Sequence, residues 1–160
     1  MTSGTDQELA TLKIESYRGI ARIPLDSLDF EHTLVQAQHR EISLQNVHRI
    51  RGIFERNGCL RYEGDNIINA IIADSDLEEA LDSANITTEI YRSIQWPRDA
   101  PTLDLTRVKC LSGLHRIEAA KSFLDVNDKW WVVRLFSDSK YMSQYCLAMC
   151  SSNQQRHGHC

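Results

Sequence analysis

The sequence has no apolar run approaching the roughly 20 residues of a membrane-spanning helix, so no membrane span is expected. It also lacks an excess of positive charge. Eighteen lysines and arginines stand against 22 aspartates and glutamates, a formal net charge of −4. Sequence-independent nucleic-acid binding through overall charge is therefore disfavoured, because phosphate contacts need a basic surface. The opening Met-Thr-Ser-Gly-Thr-Asp-Gln-Glu has neither the basic region nor the apolar region of a secretory signal. Cysteines are few and odd in number, at positions 59, 110, 146, 150 and 160, without the spacing of a disulfide framework. Reduced thiols in an intracellular protein, cytoplasmic or nuclear, are the expectation.

What is present suits a single globular domain. A chain of 160 residues fits one core, and at this size about 68–70% of the unfolded surface can be buried, so no structural metal is expected. Hydrophobic residues make up 42% and charged residues 25%, which separates the chain from disordered sequences. Charge is unevenly placed. Between Gln36 and Arg61 five arginines face two glutamates, from Tyr62 to Asp104 two arginines face ten acids, and from Leu105 to Phe136 six cations face three acids. Two basic segments that converged in space would form an anion site on an acidic protein; solvated helix faces are the plainer alternative.

Residues 1–12 are polar and read as a mobile leader. A strand is expected near Ile20, halted by Pro24. Ser43 can cap a helix whose Leu44, Val47, Ile50 and Phe54 form an apolar stripe and which Asn57-Gly58 ends. The run from Ile67 to Ala73 suits a strand buried on both faces. Ser75 and Glu78 have the spacing of a capping box opening a short helix. Residues 85–105, with Pro97 and Pro101, read as an insertion loop. A strand from Thr106 to Leu111, a Ser112-Gly113 turn, a helix from His115 to Leu124 and a strand from Trp130 to Phe136 follow, then a last helix from Asp138 to about Met149. This order predicts an α/β (α+β) domain over residues 13–150, a small mixed sheet with flanking helices, and a polar tail over 151–160.

The strand–turn–helix around Gly113 carries the chemistry. A glycine turn that opens a helix leaves backbone N–H groups unpaired at the positive end of the helix dipole. His115 and Arg116 lie in the first helical turn. Arg116 offers a planar, permanently charged donor fork, and His115 a further donor. Ser112, Gly113, His115 and Arg116 together describe an anion cradle; His115 as a capping side chain and Arg116 in a surface salt bridge would be the structural alternative.

Leu-Ser-Gly-Leu-His-Arg-Ile-Glu-Ala-Ala (111–120) resembles the Gly-x-His-Arg-x-x-Ala core of the ParB/sulfiredoxin superfamily. Ile23-Pro-Leu-Asp-Ser-Leu28 resembles the opening strand of ParB-like domains, and Gln38-His-Arg40 their Gln-x-Arg box. The arrangement is also similar to an uncharacterised family of filamentous fungi with a Gly-Cys-Leu-Arg segment (58–61 here), a Gly-x-His-Arg-x-x-Ala-Ala motif and Asp-Lys-Trp-Trp-Val-Val (128–133 here). The resemblance spans about residues 13–145. It implies a compact ParB/sulfiredoxin-like fold and a nucleoside triphosphate, ATP or CTP with Mg2+, held by Ser112, Gly113, His115 and Arg116 with help from Arg40. Leu114 stands where sulfiredoxin has its nucleophilic cysteine and where ParB-like switches have a glutamate. Sulfiredoxin chemistry is therefore not expected, and the glutamate's metal-linked role does not transfer.

The expectation is thus a nucleotide- or phosphate-binding module. Its enzymatic alternative resembles free-serine kinases, with Glu118, three residues after His115, as the base; otherwise Glu118 is a solvated acid near a helix N-terminus. A nucleic-acid-associated protein using the arginines at 49, 51, 56 and 61 is the second alternative. Cys146, Cys150, His157, His159 and Cys160 are zinc-ligand types, but their polar setting reads as an incidental tail, and the ending as that of a fragment of a larger architecture. Trp130 and Trp131 face opposite ways on a strand, one toward the core and one toward a helix or a base-binding pocket.

Overall fold

A computed structural model describes residues 3–31 and 41–138. The chain runs through α1 (Ser3–Ser16), β1 (Tyr17–Pro24), β2 (Leu28–Asp29), α2 (Leu44–Asn57), β3 (Ile68–Ile72), α3 (Asp74–Ser83), α4 (Thr88–Ser93), β4 (Val108–Cys110), α5 (Leu114–Phe123) and β5 (Trp130–Ser137), with single 3-10 turns at Leu25–Ser27, Gly64–Asn66 and Pro97–Asp99. The strands form one five-stranded mixed sheet in the order β1-β5-β3-β4-β2. β5 lies antiparallel to β1 and parallel to β3, β3 antiparallel to β4, and β4 parallel to β2. The expected α/β class is what forms.

β-branched and aromatic residues suit these strands because they pack on a pleated, half-buried surface. β3 is buried except at Asn69, as its apolar run predicts. Alternation sends Ala21, Ile23, Ile68, Ala70, Trp131 and Val133 to one face, where they join Phe54, Leu77, Leu81, Ile117 and Ala120 in the main core. Trp131 is central: its ring packs 6.0 Å from Phe54, and its Nε1–H donates to the Asn66 carbonyl at 2.8 Å. α2 begins and ends where its sequence says. The Ser43 hydroxyl accepts from the Asn46 N–H at 3.2 Å, and Gly58 follows the last turn with φ +80°. Val47, Ile50 and Phe54 pack inward, whereas Leu44, at the first helical position, stays exposed.

Three local expectations need correction. The polar leader is not without structure: it is the solvent-facing helix α1, favoured by the helix formers Gln7, Glu8, Leu9, Ala10, Leu12 and Lys13. Ser75 does not cap α3. That helix starts at Asp74 after Ala73, with no side-chain cap bond, and the Asp74 carboxylate instead accepts from Arg18 Nε at 2.9 Å and Ser137 Oγ at 3.0 Å. Residues 85–105 are more than a loop, because their apolar side chains are spaced to reach the core. Thr87 caps α4, Tyr91, Leu103 and Leu105 are buried, and the backbone at 101–103 bonds both sides of Arg22. The expected helix after Asp138 and the tail over 151–160 lie outside the described residues.

Candidate functional site at two helix N-termini

β4 delivers the chain to the site. The Leu111 N–H donates to the Asn69 carbonyl at 2.9 Å, and the backbone then turns through Ser112 and Gly113 into α5. Gly113 has φ +92° and ψ +13°, a left-handed conformation that L side chains disfavour. It also lies against Ile68: a Cβ built on it would be 2.9 Å from both Cδ1 and Cγ1 of that residue. The position thus requires glycine twice over, for conformation and for space.

α5 has no side-chain cap. Its first intrahelical bond is from the Ile117 N–H to the Gly113 carbonyl at 2.9 Å. The N–H groups of Leu114, His115 and Arg116 meet no acceptor among the described residues, as expected for the first turn of an uncapped helix. A second helix N-terminus converges here. The Ser43 N–H, at the start of α2, donates to His115 Nε2 at 3.0 Å. Nε2 is therefore the acceptor nitrogen, and a neutral His115 carries its proton on Nδ1. Two helix dipoles consequently present positive ends close together.

Arg116 completes the arrangement. Its side chain is half-buried and makes no hydrogen bond or ion pair among the described residues. Burial pulls the guanidinium below its usual pKa, and the Asp65 carboxylate opposes that shift from a distance beyond ion pairing. The group still stays cationic at neutral pH. A partly desolvated cation with no ion pair among the described residues, beside N–H groups that meet no acceptor there, is an arrangement that an anion would stabilise.

The sequence-derived residues are distributed as follows. Ser112, Gly113, His115 and Arg116 come together in one turn, with Ser112 exposed. Glu118 lies on α5 with its carboxylate accepting from Lys121 Nζ at 2.8 Å. Arg40 lies outside the described residues, as do Cys146, Cys150, His157, His159 and Cys160. Cys110 is fully buried on β4, and burial pushes its thiol well above the usual range, as suits a packing residue. Among the arginines at 49, 51, 56 and 61, Arg49 bonds Asn46, Arg51 pairs with Glu55, and Arg61 turns to Asp128. Ser43 was legible as a cap but not as the partner of His115, since that contact joins residues 72 positions apart.

A second cluster joins the segments at 58–61 and 128–133. Arg61 binds both Asp128 carboxylate oxygens, at 3.2 and 3.0 Å, and donates to the Asp128 and Trp130 carbonyls. Its guanidinium lies 3.5 Å from the Trp130 ring centroid. Arg22 reaches Trp130 at 4.8 Å and Tyr62 at 5.5 Å, and Arg98 reaches Tyr62 at 5.3 Å. Trp130 thus points away from the main core, as strand alternation requires, and it packs on arginines rather than on a helix.

Fold and site together define a mixed α/β domain with an arginine-bearing helix N-terminus. The chain belongs to the family described as protein of unknown function (DUF3723) N-terminal domain, whose model matches residues 16–153. The match begins at the last residue of α1 and takes in every strand of the sheet. No curated protein and no solved structure matches the chain.

Proposed function

We propose that this domain binds a phosphate-bearing ligand, a nucleoside triphosphate such as ATP or CTP with Mg2+, at the N-terminus of α5, and that it serves as an intracellular binding or regulatory module. The observation that carries the reading is Arg116, a half-buried guanidinium with no ion pair among the described residues, next to three backbone N–H groups that meet no acceptor there. Phosphate oxygens would accept from the N–H groups of Leu114, His115 and Arg116 and from the Arg116 fork, a charge-assisted geometry favoured at helix N-termini. His115 would act by tying α2 to the site and by offering Nδ1–H. The ParB/sulfiredoxin-like resemblance of residues 111–120 supports the same ligand class and is part of this proposal. Phosphotransfer is the lesser reading: its base would be Glu118, and that carboxylate is engaged by Lys121.

Thermal unfolding of wild type and Arg116→Ala, with ATP, CTP, GTP and UTP and with or without Mg2+, tests the proposal. A ligand at a hundred times its Kd adds about 2.7 kcal/mol, which raises the midpoint by roughly 5–10 °C for a domain of this size. A rise seen with wild type and absent in Arg116→Ala is the expected result. No rise with any nucleotide, or an equal rise in the variant, would overturn it. Turnover lost in Glu118→Gln would move the conclusion to the enzyme.

A further inference from the structure

A chain of alternating cation and ring contacts lies on the sheet face opposite the main core, running Arg98–Tyr62–Arg22–Trp130–Arg61. Four separate segments supply it: β1, the turn after α2, the Pro97–Asp99 turn and β5. Among the described residues, one of its three cations is neutralised, Arg61 by Asp128 at 3.0 Å. Arg22 and Arg98 have no ion-pair partner among the described residues. Arg22 Nη2 donates to the Arg98 carbonyl at 3.0 Å, while its buried Nε meets no acceptor among the described residues. Arg98, the outer member, is exposed. Two residues before it, at the start of the same turn, Trp96 leaves 69% of its surface in water and makes no ring contact among the described residues. Both guanidiniums lie near the Tyr62 ring, Arg22 at 5.5 Å and Arg98 at 5.3 Å, so an anion at this ring would be attracted by both, and an exposed indole ring offers a flat apolar surface to a planar group.

We infer that Arg22, Arg98 and Trp96 form a docking surface for single-stranded nucleic acid, whose alternating phosphates and bases match a pair of uncompensated guanidiniums beside an exposed ring. Phosphate oxygens accept from Arg98 and Arg22, and a base stacks on Trp96. Inside a duplex the bases stack on one another and their faces are hidden, so single strands are preferred. The chain's net charge of −4 makes the attraction local, limited to about two phosphates. This surface is separate from the α5 N-terminus and does not rest on it.

Fluorescence anisotropy of labelled short single-stranded RNA and DNA, with a duplex as comparison, tests the inference on the full chain. Two phosphate contacts predict about sevenfold weaker binding between 50 and 200 mM salt. Arg98→Glu and Trp96→Ala, both at exposed positions and so tolerated by the fold, should each weaken single-strand binding at least about fivefold. Arg116→Ala should leave it unchanged, which separates this surface from the nucleotide site. Absence of single-strand binding at low salt, equal affinity for duplex, or affinity untouched by both surface substitutions would each overturn it.

Discussion

Replacing Gly113 with alanine places two separate costs on one methyl group. At φ +92° an L residue sits in the left-handed region, at a cost of about 1–2 kcal/mol. The new Cβ also meets Ile68 Cδ1 and Cγ1 at 2.9 Å. Ile68 is fully buried and cannot swing away, so the surroundings must shift, as in overpacked cores, for about 1–3 kcal/mol more. The sum, about 2–5 kcal/mol, is a large fraction of the 5–15 kcal/mol typical of a whole domain. It should lower the thermal midpoint by roughly 4–20 °C. Urea unfolding with unchanged m-value reads the free energy directly. Gly113→Asn separates the two costs, because asparagine tolerates the left-handed region but carries the same Cβ. Gly52→Ala is the internal contrast: in the middle of α2, with only Arg56 Nη1 at 3.8 Å, it should stabilise by about 0.8–1 kcal/mol. A Gly113→Ala loss below about 0.5 kcal/mol, or equal effects at positions 113 and 52, would refute the geometry assigned to the turn.

Tyr91 is buried with its hydroxyl unpaired among the described residues, and burial holds the phenol pKa well above its usual range. Tyr91→Phe should therefore be neutral or stabilising by up to about 1 kcal/mol in urea unfolding; a loss beyond that would show that the hydroxyl has a partner. Gly19→Ala should be far worse, since its Cβ would lie 2.4 Å from Tyr91 Cε1. Arg18's hydrogen bond is the largest influence holding the Asp74 carboxyl below its usual range, with Ser137 helping. A depressed folded-state pKa means stability present above the unfolded value near 4 and lost as pH falls through the folded one. Asp74→Asn should flatten the acid limb of stability against pH, by a modest amount because the side chain is half exposed. His115→Ala removes the acceptor for the Ser43 N–H, and hydrogen exchange at Ser43 should speed by about fivefold, the worth of one net hydrogen bond.

Local rules made much of this molecule legible in advance. α2 obeys its Ser43 cap and its Asn57-Gly58 stop because both act through neighbouring backbone. β3 and β5 follow from apolar and aromatic runs, interrupted only by Asn69 in β3 and by Arg134 before the closing Ser137 in β5, and Gly113 from the meeting of a strand with a helix. What escaped depends on distance in sequence. Nothing local says that Asp74 is claimed by Arg18 and Ser137, which lets α3 start one residue before Ser75. Nothing local says that Tyr91 and Leu103 reach the core from a stretch punctuated by prolines. The segments at 58–61 and 128–133 stood out as motifs, yet only folding brings Arg61 onto Asp128 and Trp130. The same holds at the site: His115 and Arg116 could be selected by residue type, but the arrival of α2 at His115 and the lack of an ion pair for Arg116 among the described residues belong to tertiary structure.

The most direct test of the central claim is a titration of the 15N-labelled chain with CTP and ATP in the presence of Mg2+, followed through its backbone amide resonances. The Leu114, His115 and Arg116 amides should show the largest shifts, saturate with one nucleotide, and lose the response in Arg116→Ala. Amides at the start of α5 that stay still while nucleotide binds elsewhere, or that respond equally without the Arg116 guanidinium, would contradict it.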